Sequence, residues 1–194
     1  MSEPKIWVTS DWHFNHDREF VWKARGFSSV QEMNEEIVRR HNSVVAPNDI
    51  VYALGDCCLG GGEKSILEAN KALIERLNGE IHIIRGNHCT NPRVAMYKTC
   101  ANVVEAGAWA DMITYKGYHF LVSHFPTLTG NLEKESLKQC TCNLFGHTHQ
   151  ISNFYQDMPF MYHVGVDSHN CYPVLLDDAI AEMKAKVVEC LEEI

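Results

Sequence analysis

Two histidines, His147 and His149, stand one residue apart after a glycine in the segment Gly146-His147-Thr148-His149. In an extended chain, side chains two residues apart point the same way, so both imidazoles could reach one polar centre. If the chain turns there, they could instead reach two adjacent centres. Imidazole is the commonest neutral metal ligand, so the pair indicates a metal site. Two exposed loop histidines would give the same short pattern, and the rest of the chain has to decide between them.

Coordinating side chains follow a short apolar run at four other places in the chain. They are Asp11 and His13 after residues 5–9, Asp56 after residues 49–54, Asn87 and His88 after residues 81–84, and His124 after residues 118–122. Each residue alone has an ordinary interpretation as a turn or cap residue. Five such places at the carboxyl ends of strands, where α/β proteins place their sites, indicate one shared site.

The side chains at these five places are carboxylates, imidazoles and one amide. This donor set suits Mn²⁺, Fe or Zn²⁺ better than Ca²⁺ or a structural zinc held by thiolates. Seven ligands exceed what one small ion takes, but they suit two ions that share a carboxylate. His16 and Asp17 add ligand types nearby at less regular spacing. The eight cysteines form no pair of C-x-x-C motifs, and we expect them to be reduced thiols.

The elements that position these residues alternate between strand and helix over the first hundred residues. Ser29 to Glu32 is a capping box that begins a helix running to about Val45, and two further helices follow, from Glu63 to Leu77 and from Pro92 to Cys100. After residue 101 the pattern predicts strands at Val103-Val104, Trp109 to Tyr115 and Tyr118 to Val122, a short helix from Glu133 to Lys138, a hairpin of Ile151 to Tyr155 with Phe160 to Val164, and a final helix from Asp177 to Leu191. We expect two sheet halves within one domain over residues 1–194.

Size and charge exclude several classes of function. The 194 residues carry a formal net charge of −8, which argues against broad, charge-driven binding to nucleic acid. A phosphate-bearing substrate stays compatible with this charge, because bound cations would reverse its sign locally. No window of about 18 apolar residues predicts a membrane span, and no secretory signal is evident. We therefore expect a cytoplasmic protein with no membrane partner.

The ordered motifs resemble those of the calcineurin-like metallophosphoesterases across nearly the whole chain. The matching segments are Asp11-Trp12-His13, Gly55-Asp56, Gly86-Asn87-His88-Cys89, His124 and Gly146-His147-Thr148-His149. Val164-Gly165-Val166-Asp167 and the segment containing Arg25, Phe27, Met33 and Asn42 are similar to small bacterial and phage-type members. The resemblance implies a four-layer αββα sandwich with two mixed β-sheets, and hydrolysis of a small phosphomonoester or phosphodiester.

The resemblance also implies roles for individual residues. One metal would be held by Asp11, His13, Asp56 and His149, and the other by Asp56, Asn87, His124 and His147, with Asp56 bridging. Two such ions can generate a bridging hydroxide for in-line attack on phosphorus. His88 would be a general acid for the departing alkoxide or a positive clamp on the phosphoryl group. Asn87 and His88 would contact the substrate, and Arg25 is either a surface charge or a phosphate clamp.

Cys89 departs from the family pattern, which usually has an acidic residue there to orient the preceding histidine. If residue 89 has that role, Cys89→Asp should not lower activity.

Two other functions fit the same sequence, a nuclease and a catalytically silent scaffold that binds proteins. The acidic balance disfavours the nuclease, and the full set of seven ligands disfavours the scaffold. The physiological substrate, the native metals and the oligomeric state do not follow from the sequence.

Overall fold

A computed structural model describes residues 3–129 and 136–192. Its first sheet is formed by five short strands, β1 (Ile6–Thr9), β2 (Ile50–Ala53), β3 (Glu80–Ile83), β4 (Val103–Ala106) and β9 (Val174–Leu175), numbered along the chain. They lie in the order β4-β3-β2-β1-β9. The first four are parallel, and β9 pairs with β1 in the antiparallel direction. The carboxyl ends of β1, β2 and β3 therefore meet at one edge of the sheet.

The second sheet has the order β5-β6-β7-β8. Its strands are β5 (Ala110–Tyr115), β6 (Tyr118–Ser123), β7 (Thr141–Phe145) and β8 (Met161–His163). A tight turn joins β5 to β6 as an antiparallel pair, whereas β6, β7 and β8 are parallel. Both sheets are thus mixed, and the predicted α/β fold built on two mixed sheets is confirmed.

Helices occupy α1 (Glu19–Trp22), α2 (Val30–Val44), α3 (Lys64–Ile74), α4 (Asn91–Tyr97) and α5 (Leu176–Glu192). The predicted capping box begins α2, because the hydroxyl of Ser29 accepts a hydrogen bond from the backbone N–H of Glu32. The Glu32 carboxylate reaches back to the backbone N–H of Ser28 instead of that of Ser29. Pro92 lies in the first turn of α4, where its missing N–H is tolerated.

Alternation along the strands divides the buried residues between two cores. Trp7 lies in a core that α2, α3 and α4 form on the outer face of the first sheet. Its neighbour Val8 lies in a second core between the two sheets, which includes Phe120 and Leu144. Helix α5 adds Ile180 and Met183 to this second core. The two sheets are therefore held face to face, which fixes their strand ends relative to each other.

Two sequence predictions need correction. The hairpin of residues 151–155 with 160–164 is wrong: only a single bridge, between Phe154 and Tyr162, forms there, and β8 pairs instead with β7. Gln156 and Asp157 adopt left-handed backbone conformations, which break the strand. The strand β9 was not predicted, because two residues are too few to show a periodicity. Half of the helix predicted from Glu133 to Lys138, residues 133–135, lies outside the described residues. No helix within residues 3–129 and 136–192 is long and apolar enough to cross a membrane.

Candidate metal centre

The candidate ligands stand on sharp turns at the strand ends. Asp11, His13, Asp56, His147 and His149 all have left-handed backbone conformations, with φ between 48° and 68°. Residues with a Cβ pay roughly 1–2 kcal/mol for this conformation, and such strain is typical of functional sites. It is held in place here by hydrogen bonds between neighbouring turns, for example from the N–H of His13 to the carbonyl of Asp56, at 3.0 Å.

Two glycines bring the turns close enough for their side chains to converge. A Cβ on Gly86 would lie 2.2 Å from the Asp56 Oδ1 atom. A Cβ on Gly146 would lie 2.0 Å from the Ser10 hydroxyl and 2.3 Å from the Asp11 Oδ2 atom. These contacts are far shorter than any Cβ makes, so a side chain at either position would displace a candidate ligand.

Asp11, His13 and His149 form the first group of candidate ligands, and their donor atoms lie within 4.8 Å of one another. The Asp11 Oδ1 atom is 3.6 Å from His13 Nε2 and 3.9 Å from His149 Nε2. Asp11 Oδ1 and His13 Nε2 are buried and have no hydrogen-bond partner within the described part of the chain. Buried polar atoms of this kind need a partner, and a cation between them would supply one. The residues present therefore fit a metal ion.

Asp56, Asn87, His124 and His147 converge beside the first group. The Nε2 atom of His124 lies 3.3 Å from Asp56 Oδ2 and 2.8 Å from Asn87 Oδ1. His147 Nδ1 lies 2.9 Å from the same Asn87 oxygen. The other ring nitrogen of His124 contacts the carbonyl of Leu54 at 2.8 Å, which in the neutral tautomer leaves Nε2 with its lone pair towards the group. This donor set also fits a divalent cation.

The charged states of these groups depend on their shared burial. Burial alone would raise the pKa of Asp11, but the nearby imidazole of His13 and the field of His124 outweigh it and leave that pKa well below its usual value. Burial lowers the pKa of His13. Burial would also lower the pKa of His124, but the hydrogen bond to Asp56 raises it above its usual value. A carboxylate flanked by imidazoles at these distances is ready to receive a cation.

Asp11 also lies close to Asp56 and His124, and these three residues form a second group whose donor atoms lie within 4.8 Å of one another. Asp11 is therefore shared by the two groups. The resemblance instead assigns the shared position to Asp56. The Oδ1 atom of Asp56 accepts the backbone N–H of His88 at 2.9 Å, which leaves Oδ2 facing His124. The bridging role of Asp56 stays a prediction.

His147 and His149 point in different directions, because both lie in a left-handed turn rather than in an extended chain. His147 faces Asn87 and His124, whereas His149 faces Asp11. The two imidazoles therefore face different groups of candidate ligands.

Asp167 holds His149 from behind. Its Oδ2 atom lies 2.8 Å from His149 Nδ1, which leaves Nε2 directed at Asp11. Burial would raise the pKa of Asp167, but hydrogen bonds from His149 and Arg25 keep it well below its usual value. Sequence reasoning noted Asp167 only as part of a motif and gave it no role. A carboxylate that orients a ligating histidine is a common supporting group in metal sites.

Arg25 connects Asp167 to the turn that contains Asp11. Its Nε donates to Asp167 Oδ1 at 2.8 Å, and its Nη2 donates to the carbonyl of Asp11 at 2.9 Å. Its Nη1 donates to the carbonyl of Trp12 at 3.1 Å. The side chain is only 3% exposed. This geometry argues against the phosphate clamp predicted from the sequence, because all three guanidinium nitrogens are engaged inside the protein.

The Cys89 side chain lies inside the protein beside a candidate ligand, Asp56. Its thiol is buried and lies 3.9 Å from Asp56 Oδ1, and burial raises its pKa. An aspartate at this position would place a second carboxylate against Asp56 in a desolvated site. We therefore expect Cys89→Asp to destabilise the fold, and its effect on activity stays a prediction.

A cavity of about 510 Å³ opens beside the first group of ligands. Its lining includes His13, His16, Phe20, Val21, His88 and His149. The ring of His88 meets that of His13 edge-on, with centroids 5.8 Å apart. The predicted catalytic histidine and the candidate metal ligands therefore share one cavity.

A protein family and a protein of similar sequence match this chain. The sequence profile of the calcineurin-like phosphoesterase superfamily domain matches residues 5–166. An uncharacterized protein, MJ1445, of Methanocaldococcus jannaschii is 33% identical over the full length of both chains.

Two solved structures align with most of the chain. A protein of unknown function from Aquifex aeolicus, AQ665, aligns with a TM-score of 0.67 at 20% identity, over 91% of this chain and 97% of its own. YfcE, a phosphoesterase from E. coli, aligns with a TM-score of 0.44 at 18% identity, over 83% and 78%. On the match over residues 5–166, the chain belongs to the calcineurin-like phosphoesterase superfamily and is a metal-dependent hydrolase of phosphate esters.

Proposed function

We propose that this protein hydrolyses a small phosphomonoester or phosphodiester with two divalent ions, Mn²⁺, Fe or Zn²⁺. The observation that carries the proposal is the group formed by Asp11, His13 and His149, in which two buried atoms, Asp11 Oδ1 and His13 Nε2, have no hydrogen-bond partner among the described residues. The net charge of −8 favours a small substrate over a long nucleic acid.

The donor groups divide between two ions. Asp11, His13, Asp56 and His149 would hold one, and Asp56, Asn87, His124 and His147 the other. When bound, two such ions lower the pKa of water and stabilise negative charge on phosphoryl oxygens. Support for this division comes from the opposite directions of His147 and His149.

His88 is the proposed catalytic residue of the chain itself. Its backbone is fixed on both sides, since its N–H donates to Asp56 and its carbonyl accepts from Arg93. Its ring lines the cavity beside His13. From this position the imidazole can give a proton to the departing oxygen or hold the phosphoryl group by its charge. Asn87, at the junction of His124 and His147, would contact the phosphoryl group together with His88.

Turnover with defined metals tests the function. Protein loaded with Mn²⁺, Fe²⁺ or Zn²⁺ is assayed on p-nitrophenyl phosphate and bis-p-nitrophenyl phosphate, with the metal content measured on the same samples. We expect hydrolysis of at least one ester with at least one metal, and its loss in Asp56→Asn. Metal-loaded protein that hydrolyses neither ester would contradict the proposal.

The dependence on leaving group separates the two roles of His88. General acid catalysis contributes typically 10²–10⁴-fold, and it matters most when the leaving oxygen is strongly basic. His88→Gln should therefore slow hydrolysis of an alkyl ester far more than that of a p-nitrophenyl ester if His88 is the acid. Equal losses on both esters, with metal content unchanged, would assign His88 to binding the phosphoryl group.

A further inference from the structure

One aromatic side chain that lines the cavity is largely exposed. Phe20 on α1 is 73% exposed, although a phenyl ring ordinarily gains from burial. Val21, beside it, packs partly against the core and anchors the short helix. Phe20 thus contributes little to the protein interior, and its exposed face borders the cavity that contains His88.

An unbroken series of rings leads from the metal ligands to Phe20. His13 stacks on His16 with ring centroids 5.2 Å apart and an interplanar angle of 27°. His16 meets Phe20 edge-on, with centroids 5.9 Å apart. A flat group attached to a phosphoryl group at the metal centre would therefore meet ring faces and edges.

The cavity offers no free permanent cation to a second phosphate. Of the described side chains that line it, Arg25 is the one with a permanent positive charge. Its guanidinium is buried and engaged with Asp167 and with the carbonyls of Asp11 and Trp12. A diphosphate or a polyanionic tail would find no partner there. The volume of about 510 Å³ falls within the range of pockets for small molecules.

We propose that this cavity selects phosphoesters whose organic group is an uncharged aromatic ring, such as a nucleobase or an aryl group, and that Phe20 is a specificity-determining residue that stacks on it. The inference rests on the proposed function for the place of the phosphoryl group. Stacking of a base on an aromatic side chain is sequence-tolerant and substantial, so one exposed ring can account for a measurable preference.

Binding of two non-hydrolysable phosphonates tests the selectivity without requiring turnover. Phenylphosphonate and methylphosphonate carry the same phosphoryl group and differ in the ring. Their dissociation constants are measured by calorimetry on the Mn²⁺-loaded protein. We expect phenylphosphonate to bind at least fivefold more tightly than methylphosphonate, and Phe20→Ala to abolish this preference without changing the affinity for methylphosphonate. Phe20→Trp should keep the preference.

Trp109→Ala is the matched control, since Trp109 is an aromatic residue of similar exposure, 59%, that does not line the cavity. It should leave both affinities unchanged. Equal binding of the two phosphonates by the wild type, or a preference that survives Phe20→Ala, would overturn the proposal. Selective phosphonate binding by a protein that hydrolyses no ester would instead overturn the proposed function and leave the aromatic site standing. If neither phosphonate binds, the aromatic site is refuted whether or not esters are hydrolysed.

Discussion

Removing the Asp167 carboxylate should weaken metal binding although Asp167 itself is not a proposed ligand. Asp167→Ala deletes the acceptor for His149 Nδ1 at 2.8 Å, and with it the restraint that directs Nε2 at Asp11. A hydrogen bond to a charged group contributes about 1.5–3 kcal/mol. At about 1.4 kcal/mol per tenfold, this corresponds to a loss of roughly 10- to 150-fold in affinity. The same range is typical of carboxylates that orient metal-bound histidines.

Loss of stability must be separated from loss of metal affinity, because Asp167→Ala also leaves the buried guanidinium of Arg25 without its carboxylate. Asp49 provides a matched control. It is a buried carboxylate that accepts from the N–H groups of Lys5 and Ala46 and from the indole of Trp7, at the amino end of β2. Asp49→Ala should lower the unfolding temperature and leave metal affinity unchanged.

The assay is calorimetric titration of Mn²⁺ or Co²⁺ into metal-free protein, well below the unfolding temperature of both variants. Asp167→Asn, which keeps one oxygen to accept from His149, should fall between the wild type and Asp167→Ala. Wild-type metal affinity in Asp167→Ala would refute the reasoning. A comparable loss in Asp49→Ala would show that the effect is one of general stability.

Three further predictions concern space, charge and pH. Gly146→Ala should cost more than tenfold in metal affinity, measured by the same titration, because its Cβ would lie 2.3 Å from Asp11 Oδ2. Cys89→Asp should lower the unfolding temperature, and Cys89→Ser should not, because a carboxylate placed about 4 Å from Asp56 costs on the order of 4 kcal/mol in repulsion. Burial lowers the pKa of His41 from 6.5 to about 4, so the unfolded chain binds a proton in this window that the folded chain does not. Stability should therefore fall by up to about 3 kcal/mol between pH 6.5 and pH 4, and urea titrations of His41→Gln should show a correspondingly smaller fall.

The main parts of the fold and the candidate ligands could be predicted from local patterns. A buried strand followed within a few residues by a coordinating residue is a short segment, so the ends of β1, β2, β3, β6 and β7 are visible in the sequence. Parallel strands also bring such ends to one edge without further information. The capping box at Ser29 and the proline at the start of α4 are likewise local signals.

Other features depend on residues far apart in the chain. Arg25 and Asp167 are 142 residues apart, and neither segment alone indicates that they pair. The sequence therefore left Arg25 open between a surface charge and a phosphate clamp, and neither interpretation includes its pairing with Asp167. The position of the Cys89 thiol against Asp56 depends on the packing of two turns, and no spacing in the sequence reveals it. The exposure of Phe20 cannot be predicted from the sequence, because the apolar residues beside it, Val21 and Trp22, pack partly against the core.

The strained turns and the buried arginine have a common explanation. Left-handed backbone at Asp11 and His149 persists only where the surroundings fix it, and Arg25 binds the carbonyl of the first residue and, through Asp167, the ring of the second. The Arg25 guanidinium thus sets the position of two candidate ligands that are 138 residues apart in the chain. Because this guanidinium is engaged inside the protein, its charge is unavailable to the substrate, and Phe20 and the imidazole rings remain along the cavity. The same residue that stabilises the metal site therefore also explains why we expect an uncharged aromatic group beside it.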